Sequence, residues 1–357
     1  MTSLTSRYRR YRLEYIERAL LPIYDRVLPD LFPADTRERI ATLPYLYNGV
    51  EGMEASATLR RDVQEMLLPT FLARQPGAPY PDGRSAFTPD GVGAASPLGR
   101  LLNERIAQAT ALAIWLFNTD LVDFLADDDI IAYLSRIPPE PNAVTDPPTH
   151  IWADPRGYRL ADRAWHMTGR MLDDLDRQIL LGTLDDEWQD NLSDDLRLSL
   201  TPGVALVGPA QHHTLSYEVA RLVQSETVHA FAIAMLLAAQ DMSEAVPGLV
   251  EGMDYALSPR HPKYDICDDI ASIGMSGERL RPPYTVGDCP VPVSSTHPNC
   301  ICFTMPVFSA DGKEWLADHG KLGAETKTIN PIATRAFLNK HYGKFANPII
   351  LGYNRLQ

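Results

Sequence analysis

Apolar residues recur every three or four positions along most of this chain, which is the spacing of a helix that buries one face. The spacing predicts helices over residues 3–30, 51–74, 97–126, 160–181, 184–200 and 216–240. Ser96 followed by Pro97 suits the N-cap and first turn of the third helix, and Ser216 is expected to cap the last one. Gly182 is expected to end its helix in a left-handed turn.

Two shorter stretches late in the chain, 252–257 and 301–307, have the partial alternation and the residue types of β-strands. If they pair with each other, the segments that flank them meet at one end of a small sheet. The predicted fold is therefore mainly α with a small α+β C-terminal unit. It has a helical N-terminal region, a helical middle, and short antiparallel strands around a knot rich in His and Cys.

Proline marks the expected domain boundary. The chain has 29 prolines in 357 residues, and segment 137–150 is rich in them and has no periodicity. We therefore expect an N-terminal helical region over 1–136, a linker over 137–150, a domain over 151–310 and a C-terminal extension over 311–357. The extension is expected to hold one short helix near 333–341.

The net charge of the chain limits the kinds of partner that it can bind by electrostatic attraction. A net charge of −13 and a pI near 5.1 argue against broad electrostatic attachment to nucleic acid or to anionic lipid. We expect no apolar run long enough to cross a membrane and no secretion signal at the N-terminus, hence a protein made in the cytoplasm. A local exception is a basic, aromatic helix end, which is either solvated or contacts an acidic partner or DNA: Arg7, Arg9, Arg10 and Arg12.

All four cysteines lie between residues 267 and 302, next to two His-Pro dipeptides. Thiolate, imidazole and carboxylate groups in two short segments separated by a loop are the ligands that a zinc ion takes. We call the six candidate metal ligands the His/Cys cluster: His261, Asp265, Cys267, His297, Cys300 and Cys302.

The same residues allow other interpretations. Buried cysteines act as small apolar residues and can form a hydrogen-bonded structural knot without metal. Cys267 and Cys300 could form a disulfide, although a reducing compartment disfavours one. A catalytic Cys–His pair is a further alternative, but no oxyanion hole or substrate cleft is evident nearby. We assign no catalytic residue.

Charged residues elsewhere suggest structural or assembly roles. The segment from Trp152 through Asp154, Tyr158 and Arg163 to Trp165 mixes charges with two tryptophans. This mixture of residues is typical either of a surface network of ion pairs or of a contact made during assembly. Arg221 and Glu226 are charges within an otherwise apolar helix, where we expect them to be partnered and to orient the neighbouring knot.

Three segments together resemble the phage Mu F-like head morphogenesis family of minor capsid proteins. They are Asp-Pro-Arg-Gly-Tyr-Arg-Leu-Ala-Asp-Arg-Ala-Trp at 154–165, Ala-Arg-Leu-Val-Gln-Ser-Glu at 220–226, and a closing signature. The closing signature joins Leu-Ser-Pro-Arg-His-Pro-Lys-Tyr-Asp-Ile-Cys-Asp at 257–268 to His-Pro-Asn-Cys-Ile-Cys at 297–302. The likeness covers about 150–310.

The resemblance implies a virion protein, made in the bacterial host cytoplasm and built into the head in few copies. It implies association with the portal vertex, with portal and capsid proteins as partners, and with the packaged DNA end. The basic helix end is a separate hypothesis for that DNA contact, made through Arg7, Arg9, Arg10 and Arg12. The alternative is an enzyme carried in the virion, either a metal-assisted hydrolase or a transferase of the ADP-ribosylating kind, using Arg221, Glu226 and the His/Cys cluster. The chain has no Glu-x-Glu, which disfavours the transferase.

Overall fold

The computed structural model describes residues 13–14, 16, 18–21, 29, 31–50, 52–71, 96–125, 160–184, 187–208, 211–245, 247–261, 264–273, 280–309 and 311. The arginines at 7–12, the linker at 137–150, Asp154, Tyr158 and the expected helix at 333–341 lie outside these residues. The predictions that concern them stay predictions.

The described chain is mainly helical, as predicted, with two small antiparallel sheets. Its helices are α1 (Ala34–Thr42), α2 (Gly52–Phe71), α3 (Pro97–Leu125), α4 (Leu160–Gly182), α5 (Trp188–Ser199), α6 (Leu215–Ala245) and α7 (Ile266–Ala271). Short 3-10 helices cover Leu43–Tyr47 and Val286–Asp288. The strands β1 (Leu206–Val207) and β2 (His212–His213) form one pair, and β3 (Val250–Ala256) and β4 (Phe303–Phe308) form the other.

Side-chain caps mark the starts of α3 and α6. The hydroxyl of Ser96 accepts the backbone N–H of Gly99 at 2.9 Å, which confirms the N-cap predicted for α3. The cap predicted for α6 was wrong by two residues. Thr214 accepts the N–H of Tyr217 at 3.1 Å, whereas Ser216 donates to the carbonyl of Thr201 at 2.9 Å. The helix begins at Leu215, so the preceding threonine is the residue in the capping position.

Helix α4 buries the face that the apolar spacing predicts. The buried residues on it are Met167, Met171, Leu172, Leu175 and Ile179. The left-handed turn predicted at Gly182 was wrong, because this glycine is the last helical residue and has no positive φ. A Cβ there would lie 3.0 Å from Leu192 Cδ1 of α5. A Cβ at position 182 would therefore press on the end of the Leu192 side chain, which would have to shift by a few tenths of an ångström.

The chain divides into two compact units, each assembled from separated segments. One comprises residues 22–105 and 153–226, and the other comprises 1–21, 106–152 and 227–357. We call the second the cluster unit, because it contains the His/Cys cluster. The division falls inside α3 and inside α6.

In the first unit, residues from α1, α2, the start of α3, α4, α5 and the start of α6 share one buried apolar cluster. Members of this cluster include Phe32, Leu59, Phe71, Met171, Leu192 and Val219.

Aromatic contacts hold β4 in the cluster unit. The ring of Phe303 meets that of Phe231 in α6 at 6.0 Å between centroids, in an edge geometry. Phe308 meets Phe117 of α3 in the same way at 5.8 Å. The hydroxyl of Thr304 donates to the carbonyl of Ala232 at 3.3 Å. Both ends of β4 are therefore packed against helices of this unit.

Helix α6 contains a stretch, Leu215–Glu244, that is long and apolar enough to cross a membrane by length and composition. Our expectation that the chain has no such run was therefore wrong, because apolar residues continue along the helix on both sides of the polar residues around Glu226. In the most apolar window of this stretch, 78% is buried inside the protein. Such burial is typical of the core helix of a globular protein.

Candidate metal centre

Strands β3 and β4 bring the two halves of the closing signature together. They pair antiparallel with Ala256 opposite Phe303. The residues that follow β3 and those that precede β4 therefore lie at the same end of the sheet. This is the pairing that the two apolar stretches predicted.

A third backbone segment joins the edge of β3. The N–H of Met253 donates to the carbonyl of Tyr284 at 2.8 Å, and the N–H of Tyr284 donates to the carbonyl of Met253 at 2.9 Å. A Cβ at Gly252 would lie 2.3 Å from that carbonyl oxygen, so this close approach requires glycine. The hydroxyl of Tyr284 donates to the carbonyl of Ile270 at 2.9 Å, which connects β3 to α7.

Helix α7 is short, but both its ends are well defined. Asp265 accepts the N–H of Cys267 at 2.7 Å, and Asp268 accepts the N–H of Asp265 at 2.8 Å, which makes a reciprocal capping box. Ser272 ends the helix with a left-handed φ of 47°. The cap places Cys267 in the first turn, where it is fully buried.

Asp265 is held as a carboxylate. Burial raises its pKa, but the N–H of Cys267 and the nearby rings of His261 and His297 outweigh burial, so the pKa lies below its usual range.

Three of the four cysteines converge. The Sγ atoms of Cys267, Cys300 and Cys302 all lie within 4.8 Å of one another, and Cys267 and Cys300 are 3.6 Å apart. The fully buried Tyr255 places its hydroxyl 3.3 Å from Cys267 Sγ and 3.4 Å from Cys300 Sγ. All four cysteines are free thiols, and Cys289 lies apart with its Sγ 3.6 Å from the Pro290 carbonyl.

The pKa values of the three cysteine thiols are shifted in different directions. Hydrogen bonds from Cys267 and Cys302 hold the pKa of Cys300 well below its usual range. The bond to Cys300 raises the pKa of Cys267 to about 12, and the bond to Cys267 raises the pKa of Cys302. Burial raises the pKa of Tyr255. Cys300 is therefore the thiol whose ionised form these hydrogen bonds favour.

Each of the two histidines of the His/Cys cluster lies beside one cysteine sulfur. Nδ1 of His261 is 3.8 Å from Cys302 Sγ, and its Nε2 is 2.9 Å from Asp268 Oδ2. Nε2 of His297 is 3.4 Å from Cys267 Sγ and 3.1 Å from Asp265 Oδ2, and its Nδ1 is 2.9 Å from the Pro298 carbonyl.

All six residues of the His/Cys cluster therefore meet, in three overlapping groups. These groups are Cys267 with Cys300 and Cys302, Asp265 with Cys267 and His297, and His261 with Asp265 and Asp268. The first group offers only sulfur, the second mixes sulfur, nitrogen and oxygen, and the third offers nitrogen and oxygen. Sulfur and imidazole nitrogen favour a borderline-soft divalent ion such as zinc over magnesium or calcium, which prefer oxygen.

The residues with expected structural or assembly roles belong to the first unit where they are described. Arg221 forms an ion pair with the mostly buried Glu218 at 3.5 Å, and Glu226 is buried. Arg163 and Trp165 lie in the first two turns of α4. The orienting role expected for Arg221 and Glu226 stays a prediction.

Two members of the site were missed in the sequence. The sequence predicted Tyr255 only as a residue of a strand. In the structure its side chain extends from β3 to the sulfurs of Cys267 and Cys300. Tyr284 lies in an irregular segment, where no periodic signal marks it.

Comparison of this chain with protein-family models, with curated proteins and with solved structures finds no match.

Proposed function

We propose that this chain is a minor capsid protein of a tailed phage or prophage, associated with the portal vertex and with head assembly or DNA packaging and ejection. One observation carries the proposal. The two parts of the closing signature, which is the most specific of the three segments of the resemblance, converge in one buried cluster. They therefore act as a single structural unit, as one inherited signature would.

Burial favours a structural role for the His/Cys cluster over a catalytic one. Cys267 and Cys302 are 0% exposed and Cys300 is 1% exposed. A nucleophilic cysteine needs a partly exposed, activated thiolate that a substrate can reach. These sulfurs instead face one another and Tyr255.

The cluster has a clear structural task in this unit. Strands β3 and β4 form a two-stranded sheet, and such a pair is at best marginally stable alone. Contacts among α7, the residues before β4 and the end of β3 cross-link segments that have little other regular structure. We therefore expect the cluster to stabilise a compact unit that takes part in assembly.

The direct test is the protein composition of purified particles. Particles of the phage or induced prophage that carries the gene should contain this chain in few copies relative to the portal protein, as measured by quantitative mass spectrometry. If the chain is absent from particles, the proposal is wrong. Turnover of a substrate by the purified chain would favour the enzyme alternative.

Substitution at the N-terminal arginines refines this test. Replacing Arg7, Arg9, Arg10 and Arg12 together with alanine should lower incorporation only in part, because exposed ion pairs contribute about 0–1 kcal/mol each. The matched control replaces the same four residues with lysine, which keeps the charge and should keep incorporation near the wild-type level. Equal incorporation of both variants and wild type would show that these four arginines do not contribute to incorporation.

A further inference from the structure

We infer that the cluster unit binds one zinc ion through the sulfurs of Cys267, Cys300 and Cys302 and through Nδ1 of His261. This inference does not depend on the virion proposal, because it rests on the geometry of the His/Cys cluster alone. Only four of the six candidate residues are assigned as ligands, so substitution of each residue tests its own assignment.

The distances between the donor atoms fit a tetrahedral zinc site. With Zn–S bonds of about 2.3 Å and a Zn–N bond of about 2.0 Å, the sulfurs are about 3.8 Å apart and sulfur and nitrogen about 3.6 Å apart. The observed separation is 3.6 Å between Cys267 Sγ and Cys300 Sγ. It is 3.8 Å between Cys302 Sγ and His261 Nδ1. All three sulfurs lie within 4.8 Å of one another, so they need shifts of about 1 Å or less to surround an ion. Nδ1 of His261 is near Cys302 and must approach Cys267 and Cys300 more closely when the ion binds.

His261 is oriented as a zinc ligand. Its Nε2 lies 2.9 Å from Asp268 Oδ2, and that carboxylate also accepts the N–H of Asp265 in the cap of α7. A carboxylate at Nε2 keeps the ring proton there and leaves the lone pair of Nδ1 directed toward Cys302. Histidine ligands usually have this second partner, which fixes the tautomer and the ring orientation.

His297 is less suited to the fourth position. Its Nε2 lies 3.1 Å from Asp265 Oδ2, and its Nδ1 lies 2.9 Å from the Pro298 carbonyl, so both ring nitrogens face acceptors. Its side chain is 37% exposed, against 9% for His261. Structural zinc sites are closed to solvent, which favours the buried ring. We assign His297 to the outer layer of the site, where it supports Asp265.

Tyr255 completes the outer layer on the sulfur side. Its hydroxyl lies within 3.4 Å of the sulfurs of Cys267 and Cys300 and can donate to a thiolate. Donors of this kind stabilise the charge that three thiolates leave on a bound divalent ion. The site is thus closed, rich in sulfur and lined by groups that hold its ligands in place.

The experiment measures metal in the full-length chain. Protein purified without chelator should carry one equivalent of zinc by elemental analysis, and stripped protein should take up one equivalent of added Zn²⁺ or Co²⁺. Cobalt should give the intense absorption of a tetrahedral thiolate site. Cys300→Ser and His261→Ala should each lower zinc affinity by at least about tenfold. His261→Cys should retain the metal, since a fourth thiolate also suits zinc.

Two matched controls decide the ligand set. Cys289→Ser changes the one buried cysteine outside the group and should keep full zinc. His297→Ala should weaken binding less than His261→Ala. If stripped wild-type protein binds neither Zn²⁺ nor Co²⁺, or if Cys289→Ser loses as much metal as Cys300→Ser, the inference is overturned. If only His297→Ala loses metal, the assignment of His261 is overturned.

Thiol alkylation of the wild-type chain separates metal loss from unfolding. Bound zinc should protect Cys267, Cys300 and Cys302 together, and a chelator should raise the alkylation rates of these three by a larger factor than that of Cys289. If zinc changes the alkylation of none of them, the site does not bind zinc.

Discussion

The contact between Gly252 and the backbone of Tyr284 allows one prediction to be worked from the structure. A Cβ at position 252 would lie 2.3 Å from the carbonyl oxygen of Tyr284. Carbon atoms in favourable contact stand about 3.5 Å or more from their neighbours, so the carbonyl or the strand must move by about 1 Å. Gly252→Ala is therefore expected to displace Tyr284 from the edge of β3.

The segment at Tyr284 cannot move without losing bonds. Its N–H and carbonyl both bond to Met253, and its hydroxyl bonds to Ile270. The guanidinium of Arg281 also lies 3.6 Å from the centre of the Tyr284 ring. Overpacking of this kind costs about 1–3 kcal/mol, and each lost hydrogen bond adds about 1 kcal/mol. The smaller entropy of the unfolded alanine chain offsets about 0.4–1 kcal/mol. With one of these hydrogen bonds lost, the net destabilisation should be about 1–4 kcal/mol.

Urea unfolding followed by alkylation of Cys289 measures this effect locally, because Cys289 is buried in the same unit. The matched control is Gly287→Ala, since a Cβ at Gly287 meets nothing within 4 Å and its φ is not positive. Gly252→Ala should expose Cys289 at clearly lower urea than wild type, and Gly287→Ala should not. Equal midpoints for the two variants would refute the close approach of Tyr284.

Two further predictions concern helices α4 and α7. Gly169→Ala in α4 should stabilise the protein by about 0.5–1 kcal/mol in thermal unfolding, because helical glycine is unfavourable and a Cβ there meets nothing within 4 Å. Gly182→Ala should gain less, because its Cβ would press on Leu192; an equal gain would contradict that contact. Asp265→Ala should cost about 0.5–2 kcal/mol through loss of the α7 cap, measured as the midpoint of urea unfolding. Because the pKa of Asp265 is lowered in the fold, its contribution is present at neutral pH and is lost as the pH falls through and below about 4. A cost that is the same at pH 7 and at pH 3 would contradict this.

Much of the helical fold was predictable because periodic burial is a local signal. The bounds predicted for α3, 97–126, differ by one residue from those observed, and the face of α4 is the predicted one. Caps and helix ends were less predictable. Thr214 and Ser216 are both good caps, and only the start of α6 at Leu215 decides between them. The role of Gly182 depends on Leu192 in another helix, which no local pattern reveals.

The site was predictable as a set of residue types but not as an arrangement. The spacing of the cysteines suggested that they gather, yet Cys289 lies apart from the other three. Cys289 follows the 3-10 helix Val286–Asp288, whereas the other three cysteines belong to α7 and to the residues before β4. Tyr255 joins the cluster because β3 directs alternate side chains to one face, and that outcome requires knowledge of the strand register.

The central claim is that the His/Cys cluster holds the cluster unit together. Hydrogen exchange of the full-length chain tests it most directly, with Cys300→Ala compared against Cys289→Ala. The account predicts that exchange in β3, α7 and β4 becomes at least about tenfold faster in Cys300→Ala than in Cys289→Ala, which corresponds to about 1.4 kcal/mol of lost local stability. Exchange in α5, which belongs to the other unit, should be unchanged. Equal protection of β3 and β4 in the two variants would contradict the claim.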